Sequence, residues 1–284
     1  MKWKIGDVTV TKIVELEGAG GTKFILPQAT PDAVREIDWL IPRFATEAGK
    51  LRMSIHALVV ETTARRIVVD TCLGNDKEGR HIPLWNKLNT PFLFKLTEAG
   101  FAPDTIDTVL CTHLHVDHVG WNTKLVAGRW VPTFPNARYL FGKNEYDFWN
   151  GYEENEEQKA VFADSVKPIV DAGLADLIAD EHQVCDEIST IPTPGHSPGH
   201  LSIRIRSRGE EGLLLGDVAH HPCQMAHLEW SSTFDSDPEK SAKMREILFG
   251  KLAGTKTFVI GGHFDPGYIV REGNAFRLSE TPGK

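Results

Sequence analysis

A chain of 284 residues is long enough to bury a sizeable core as one large domain or two small ones. Its formal net charge of −8, with basic residues scattered and no longer basic run than Arg65–Arg66, repels polyanions and argues against a nucleic-acid partner. No run approaches the ~20 consecutive apolar residues of a membrane helix. The four cysteines, Cys72, Cys111, Cys185 and Cys223, lie far apart without a C-x-x-C, which suggests free thiols and not a disulfide framework or zinc knuckle.

In chain order, "MKWKIGDVTV" alternates like a strand. It has no apolar run followed by a small-residue cleavage site, so a cytoplasmic protein is expected. "VTVTKIVEL", "SIHALVVET" and "RRIVVDT" are rich in β-branched residues with turn residues between them, and form an opening group of strands. Residues 18–53 are rich in Gly, Pro and Thr, with one short helical candidate near "PDAVREIDWL". So long a connection is a candidate lid or dimer contact. "PFLFKLTEAGF" has helical spacing and stops at Gly100, and "TIDTVLCTH" is a strand leading into a histidine cluster.

"ARYLFG" is a short strand, and "NEEQKAVFADSVKPIVDAG" an amphipathic helix interrupted at Pro168. "HLSIRIRS" and "GLLLGD" are strands, "DPEKSAKMREILFGKLAG" a well-capped helix, and "KTFVIGGH" a final buried strand. Strands precede and follow helices in both halves. The expected organisation is α/β, a single domain over residues 1–284 with two sheets and helices outside them.

The densest chemistry lies in "CTHLHVDHVG". Side chains at i and i+2 of an extended segment point the same way, so His113 and His115 converge where their strand ends. If the chain then turns into a helix, Asp117 and His118 diverge toward a neighbouring point. Leu114, Val116 and Val119 can anchor the loop in the core. Three imidazoles beside a carboxylate with no cation would leave desolvated polar groups without partners.

A metal needs three or four donors, and the remaining candidates lie downstream. His196 sits at the turn in "TPGHSPGH", while Asp217 and His263 each end an apolar strand, where α/β folds gather their sites. His56, His81, His182 and His227 are read as ordinary hydrogen-bonded or surface histidines. Trp85, Phe92, Phe94, Trp121 and Trp149 are candidates either for an apolar pocket wall or for ordinary core.

"THLHVDHVG", "TPGHSPGH", "LLLGD" and "IGGH" resemble, in type and order, the motifs of metallo-β-lactamase-fold hydrolases. The resemblance covers nearly the whole chain and implies an αββα sandwich with a dinuclear site at one edge. It implies one metal on His113, His115 and His196, another on Asp117, His118 and His263, and Asp217 between them. The two divalent ions are expected to be zinc first, with manganese, cobalt or iron as alternatives. The expected chemistry is metal-assisted hydrolysis by a bridging hydroxide, with Asp117 accepting a proton.

Asp217 argues against the true β-lactamases, which lack that carboxylate. In length and motif wording the chain is most similar to the quorum-quenching lactonases and methyl parathion hydrolase-like enzymes. These act on small lactones or esters, sometimes on organophosphates, and are often homodimers. Acyl-homoserine lactonases carry a tyrosine three residues after the bridging aspartate, where this chain has His220, followed by His221. His220 is therefore a second candidate catalytic residue, as a donor to the developing oxyanion or leaving group. His200 is expected to be a supporting hydrogen-bonding residue.

Other readings compete. Glyoxalase II-like thioesterases share all seven ligands but commonly add a helical C-terminal domain. Persulfide dioxygenases keep much of the pattern around one iron. "GHSPG" matches the G-x-S-x-G of serine hydrolases, but Pro198 has no N–H for an oxyanion hole and the following segment alternates like a strand. Ser197 is therefore read as a surface or turn serine.

Overall fold

Unbroken apolar stretches such as "ALVV" and "IVV" suit strands covered on both faces, and that is where they lie. The computed structural model describes every residue except Gly21, Glu153 and Lys284. In chain order the strands are β1 (Lys2–Ile5), β2 (Val8–Ala19), β3 (Arg52–Glu61), β4 (Arg66–Val69), β5 (Thr108–Leu110), β6 (Thr123–Val126), β7 (Arg129–Pro132) and β8 (Arg138–Gly142). They continue with β9 (Ala175–Ile178), β10 (Gln183–Cys185), β11 (Ile188–Pro192), β12 (Leu201–Ser207), β13 (Glu210–Leu214), β14 (Phe258–Ile260), β15 (Tyr268–Glu272) and β16 (Ala275–Ser279).

One sheet runs β1-β2-β3-β4-β5-β8-β9 and the other β10-β11-β12-β13-β14, with two hairpins, β6–β7 and β15–β16, beside them. Both sheets are mixed. Pairing is antiparallel through β4 and parallel from β4 to β9, and antiparallel through β13 and parallel between β13 and β14.

Period-two alternation sorts the apolar side chains into layers. Leu58, Val60, Ile67, Val69 and Leu110 face Ile203, Ile205, Leu214 and Ile260 between the sheets. Ala57, Val59, Val68 and Val109 point outward under a helical layer that contributes Phe92, Leu96, Trp149, Val161 and Ile169. Leu213, Leu215 and Val259 point the other way, toward Leu248, Phe249 and Leu252. Each buried Val, Leu, Ile or Phe among them contributes ~1.5–3 kcal/mol. The expected sandwich of two sheets with helices on both outer faces is the observed one. Among the described residues no helix is long and apolar enough to cross a membrane.

The helices are α1 (Thr22–Ile25), α2 (Pro31–Arg35), α3 (Phe92–Glu98), α4 (Val116–Val119), α5 (Lys143–Trp149), α6 (Glu156–Val161), α7 (Lys167–Asp171), α8 (Cys223–Ala226) and α9 (Pro238–Leu252). The Asp237 side chain caps α9 by accepting from Lys240 N, with Pro238 in the first turn, an arrangement worth about 1 kcal/mol. The interruption at Pro168 is a π-turn, Phe162–Val166, between α6 and α7. A proline cannot bond the carbonyl four residues back, and that carbonyl, of Asp164, accepts from Lys77 Nζ at 3.0 Å and from the Thr123 hydroxyl.

The long connection is shorter than the sequence suggests, because β2 runs to Ala19 and β3 begins at Arg52. Gly21, within that segment, lies outside the described residues. "PDAVREIDWL" is not one helix. It divides into α2 and a 3₁₀ turn, Asp38–Leu40, which suits the three-residue spacing of the buried Val34, Ile37 and Leu40. With Leu26, Ala29 and Phe44 they join the outer core of the second sheet, so this stretch is packed against the body of the protein.

Candidate metal centre

Every candidate ligand sits where a strand has just ended. Strand β5 stops at Leu110, the chain stays extended to His115, which has φ −72° and ψ 164°, and then turns into α4. Side chains of the extended part and of the helical turn consequently aim at two adjacent points. Asp217 follows β13 in a 3₁₀ turn, and His263 follows β14. Gly216, with φ +57°, makes that turn, and a Cβ there would lie 2.6 Å from His200 Nε2.

The first point is a triangle of imidazole nitrogens. His113 Nε2 lies 3.1 Å from His115 Nδ1 and 3.1 Å from His196 Nε2, and His115 Nδ1 lies 2.9 Å from His196 Nε2. Hydrogen bonds cannot satisfy this triangle. His196 Nδ1 is 2.9 Å from Asp235 Oδ1, so its proton belongs there and Nε2 presents a lone pair. His113 Nδ1 is likewise engaged by Thr112 Oγ1 at 3.0 Å. Burial above all, and then neighbouring histidines, pushes His113 and His115 well below the usual imidazole range, which keeps them neutral.

The second point gathers Asp117, His118 and His263. His118 Nδ1 is held by Asp70 Oδ2 at 2.9 Å, and His263 Nδ1 by the carbonyl of Ser54 at 3.1 Å. Their Nε2 atoms therefore face carboxylates: His118 Nε2 is 3.6 Å from Asp117 and 3.4 Å from Asp217, and His263 Nε2 is 3.6 Å and 3.1 Å from the same two.

Burial alone would lower His118 and His263, yet Asp217 and the other carboxylates hold both above the usual range. Burial would raise Asp217, but His263, His118 and His220 draw it well below. The cluster attracts positive charge. His118 Nε2 and Asp217 Oδ1 are buried and have no hydrogen-bond partner.

Converging lone pairs, orphaned donor atoms and clustered carboxylates fit divalent cations. The donor atoms of His113, His115 and His196 lie within 4.8 Å of one another, as do those of Asp117, His118 and His263, while Asp217 groups with His113 and His118 and again with His196 and His220. All seven ligand candidates are thus brought together.

His220 is brought in as well. It is buried, its Nε2 is 3.2 Å from Asp217 Oδ2, its ring stacks on His263, and its Nδ1 has no partner. His221 turns away, placing Nε2 2.8 Å from the carbonyl of Phe44. His200 supports from behind by accepting from Asp217 N at 2.9 Å, and burial lowers it to about 3.

Some expectations need correction. Ser197 lies in a bend, as the turn alternative expects, but is fully buried and not at the surface, and its hydroxyl donates to Glu145. The five aromatics do not form one wall. Phe92 and Trp121 stack in the core, Phe94 is exposed on α3, and only Trp149 meets the site, edge-on to His115. His56 is a buried histidine bonded to Ser54 Oγ, as an ordinary reading predicts. Three cysteines are buried free thiols, and Cys185 is half-buried.

Sequence reasoning missed Asp70 and Asp235. Asp70 ends "RIVVD" as Asp217 ends "GLLLGD", so the same signal was present. Asp235 carries none.

Residues 52–263, from the start of β3 to the last histidine of the cluster, match the model of the metallo-β-lactamase superfamily. The chain belongs to the metallo-β-lactamase superfamily. Among curated members it is 24% identical over 182 residues to an N-acyl homoserine lactonase of Bacillus cereus, covering 60% of this chain and 65% of that one. It is 31% identical over 124 residues to the N-acyl homoserine lactonase AttM of Rhizobium radiobacter, covering 41% and 42%. The chain thus spans less than two thirds of the length of these relatives.

Solved structures share the fold over nearly their whole length. AidC, described as a dizinc quorum-quenching lactonase in complex with a product, superposes with a TM-score of 0.81 at 20% identity, covering 100% of this chain and 97% of that one. The hydrolase AbOPH superposes with 0.79 at 20% identity and the same coverage.

Proposed function

We propose that this protein is a dinuclear metal-dependent hydrolase that opens a lactone or cleaves a carboxylic ester. The observation that carries the reading is the pair of adjacent donor sets, His113/His115/His196 and Asp117/His118/His263, with Asp217 Oδ2 within 3.6 Å of His196, His118 and His263. Two cations held there, zinc by the relatives' example, would supply Lewis acidity and a nucleophilic hydroxide near neutral pH. Two separate donor sets favour this over a single-iron oxygenase.

The chain's own residues supply the remainder. Asp117, the less buried of the two ligand carboxylates, would take the proton from the attacking water and return it to the departing alkoxide. His220, whose Nε2 faces Asp217 Oδ2 at 3.2 Å, would donate that N–H to the carbonyl or leaving oxygen of a substrate held beside the carboxylate. Asp235, Asp70 and the Ser54 carbonyl fix which nitrogen of each histidine carries its proton. Phe24 and Phe234, 5.4 Å apart at the loop that carries Asp235, offer an apolar surface to an acyl chain.

The test is a screen of zinc-loaded, manganese-loaded and cobalt-loaded protein on acyl-homoserine lactones, other γ- and δ-lactones, aryl esters, thioesters and phosphotriesters. Lactone or ester turnover that rises to two equivalents of metal is expected, with phosphotriesters as a side reaction. Thioester hydrolysis alone, or one bound iron with thiol-dependent oxygen uptake, overturns the reading.

A further inference from the structure

Ser197 has the sequence setting of a nucleophile, and the structure gives it a different partner. Its hydroxyl donates to Glu145 Oε2 at 2.7 Å, and the same oxygen accepts from Gly199 N at 3.0 Å. The other oxygen, Oε1, accepts from Leu114 N at 3.1 Å and from Trp149 Nε1 at 2.6 Å. Glu145 is 1% exposed, and no ion pair reaches it among the described residues. Burial raises the pKa of this carboxyl, but three of its four partners, two backbone N–H groups and an indole N–H, can only donate, and together with the hydroxyl they supply a donor for every accepting position of a carboxylate.

The location of those donors is informative. Leu114 stands between His113 and His115, Ser197 follows His196, and the Trp149 ring lies 5.3 Å from that of His115. Every histidine of the first triad is therefore adjacent to a group bonded by this one carboxylate. The approach is close: a Cβ on Gly199 would lie 2.2 Å from Glu145 N, so only glycine lets the His196 loop rest on the start of α5. None of the four donors neighbours His263, and His118 is oriented by Asp70 instead.

We propose that Glu145 is a positioning residue that clamps the His113–His115 segment to the His196 loop, and so sets metal affinity at the first triad but not at the second. The proposal rests on the dinuclear reading above. Replacing the carboxylate by an amide leaves shape and volume nearly unchanged but turns an NH₂ group toward the buried Gly199 N–H and forces the Ser197 hydroxyl to reverse its bond. Both loops then lose part of their hold, and the three lone pairs no longer converge on one point. Supporting groups of this kind are worth about 10- to 100-fold in metal affinity.

The experiment strips the protein, titrates cobalt against a chromophoric chelator, and records the cobalt absorption bands at each step. His115→Ala and His263→Ala identify which step belongs to which triad, and two steps in the parent test the dinuclear reading independently. Glu145→Gln is expected to weaken the first-triad step by about 10- to 100-fold and shift its cobalt bands, with the second step within about threefold. Ser197→Ala, which keeps the carboxylate and three donors, should weaken the same step by a smaller factor.

In metal-free protein the Trp149 indole N–H resonance should move upfield in Glu145→Gln. If that variant does not fold, Ser197→Ala decides the question. Two unchanged steps, or equal losses at both, overturn the clamp. A parent that binds no metal overturns the dinuclear reading, and the clamp with it.

Discussion

Oδ2 of Asp70 lies 2.9 Å from Nδ1 of His118, and Asp70 adopts a left-handed backbone conformation, φ +55°, to reach it. A non-glycine residue in that region carries a cost of order 1–3 kcal/mol, which the surrounding bonds offset. The carboxylate also accepts from Thr112 N and Thr112 Oγ1, both at 2.8 Å. One side chain thus fixes the strand end that leads to His113 and the ring of His118. Asp70→Asn tolerates the backbone conformation but loses the charge and one acceptor, and metal at the second triad should bind about 10- to 100-fold more weakly. Chelator competition measures this, and unchanged affinity would reduce Asp70 to a scaffold residue.

Asp217 should be less forgiving. It is the carboxylate common to both donor sets, and Asp217→Asn leaves the lone pairs of His118, His196 and His263 without the charge that balances a pair of dications. The expected result is loss of at least one metal equivalent and a fall in turnover of about 100-fold or more, several kcal/mol of charge stabilisation. Metal analysis and turnover on the same sample check it together. A variant that keeps two tightly held metals and parental turnover would limit Asp217 to a structural part.

The sandwich was legible because β3, β4 and β13 carry successive apolar residues and β12 alternates, and the ligands because they end strands or crowd one loop. The hairpin of β6 and β7 was not. Its turn is Ala127–Gly128, both at positive φ, without the Asn-Gly or Asp-Gly that normally marks such a turn, and its strands are short and partly exposed. Asp235 and Glu145 escaped for another reason. A carboxylate that orients a ligand is recognised by its partner in space, and Asp235 lies 39 residues from His196, while Glu145 lies 31 and 52 residues from Leu114 and Ser197.

A pH effect follows from His221. Its Nδ1 accepts from Cys223 N at 3.1 Å, its Nε2 donates to the Phe44 carbonyl, and burial lowers it to about 4. A proton therefore binds the unfolded chain, near 6.5, more readily than the native one. Stability from this group is complete above pH 6.5, falls as pH drops toward 4, and levels off below. The loss is about 2 kcal/mol between pH 7 and pH 4.5. His221→Gln, whose amide can serve both partners without titrating, should lack it. Urea unfolding of metal-free parent and variant at the two pH values measures the difference. Parallel stabilities at both pH values would mean that His221 does not sense pH here.

The surroundings of His220 set the size of the test for a catalytic part. Its Nε2 is 3.2 Å from Asp217, and its backbone N–H is held by Gln224 Oε1 at 2.7 Å, so the ring position is fixed from two sides. His220→Phe keeps the ring stacked beside His263 and removes only the polar atoms. If His220 donates to the developing oxyanion or leaving group, turnover on the best lactone or ester should fall by about 10- to 1000-fold with both metals retained. The loss should grow as the leaving alcohol becomes more basic, since a poorer leaving group needs the donor more. Loss of one metal equivalent would instead make His220 a ligand beside His196 and Asp217. Parental turnover across the series would leave it without a catalytic part.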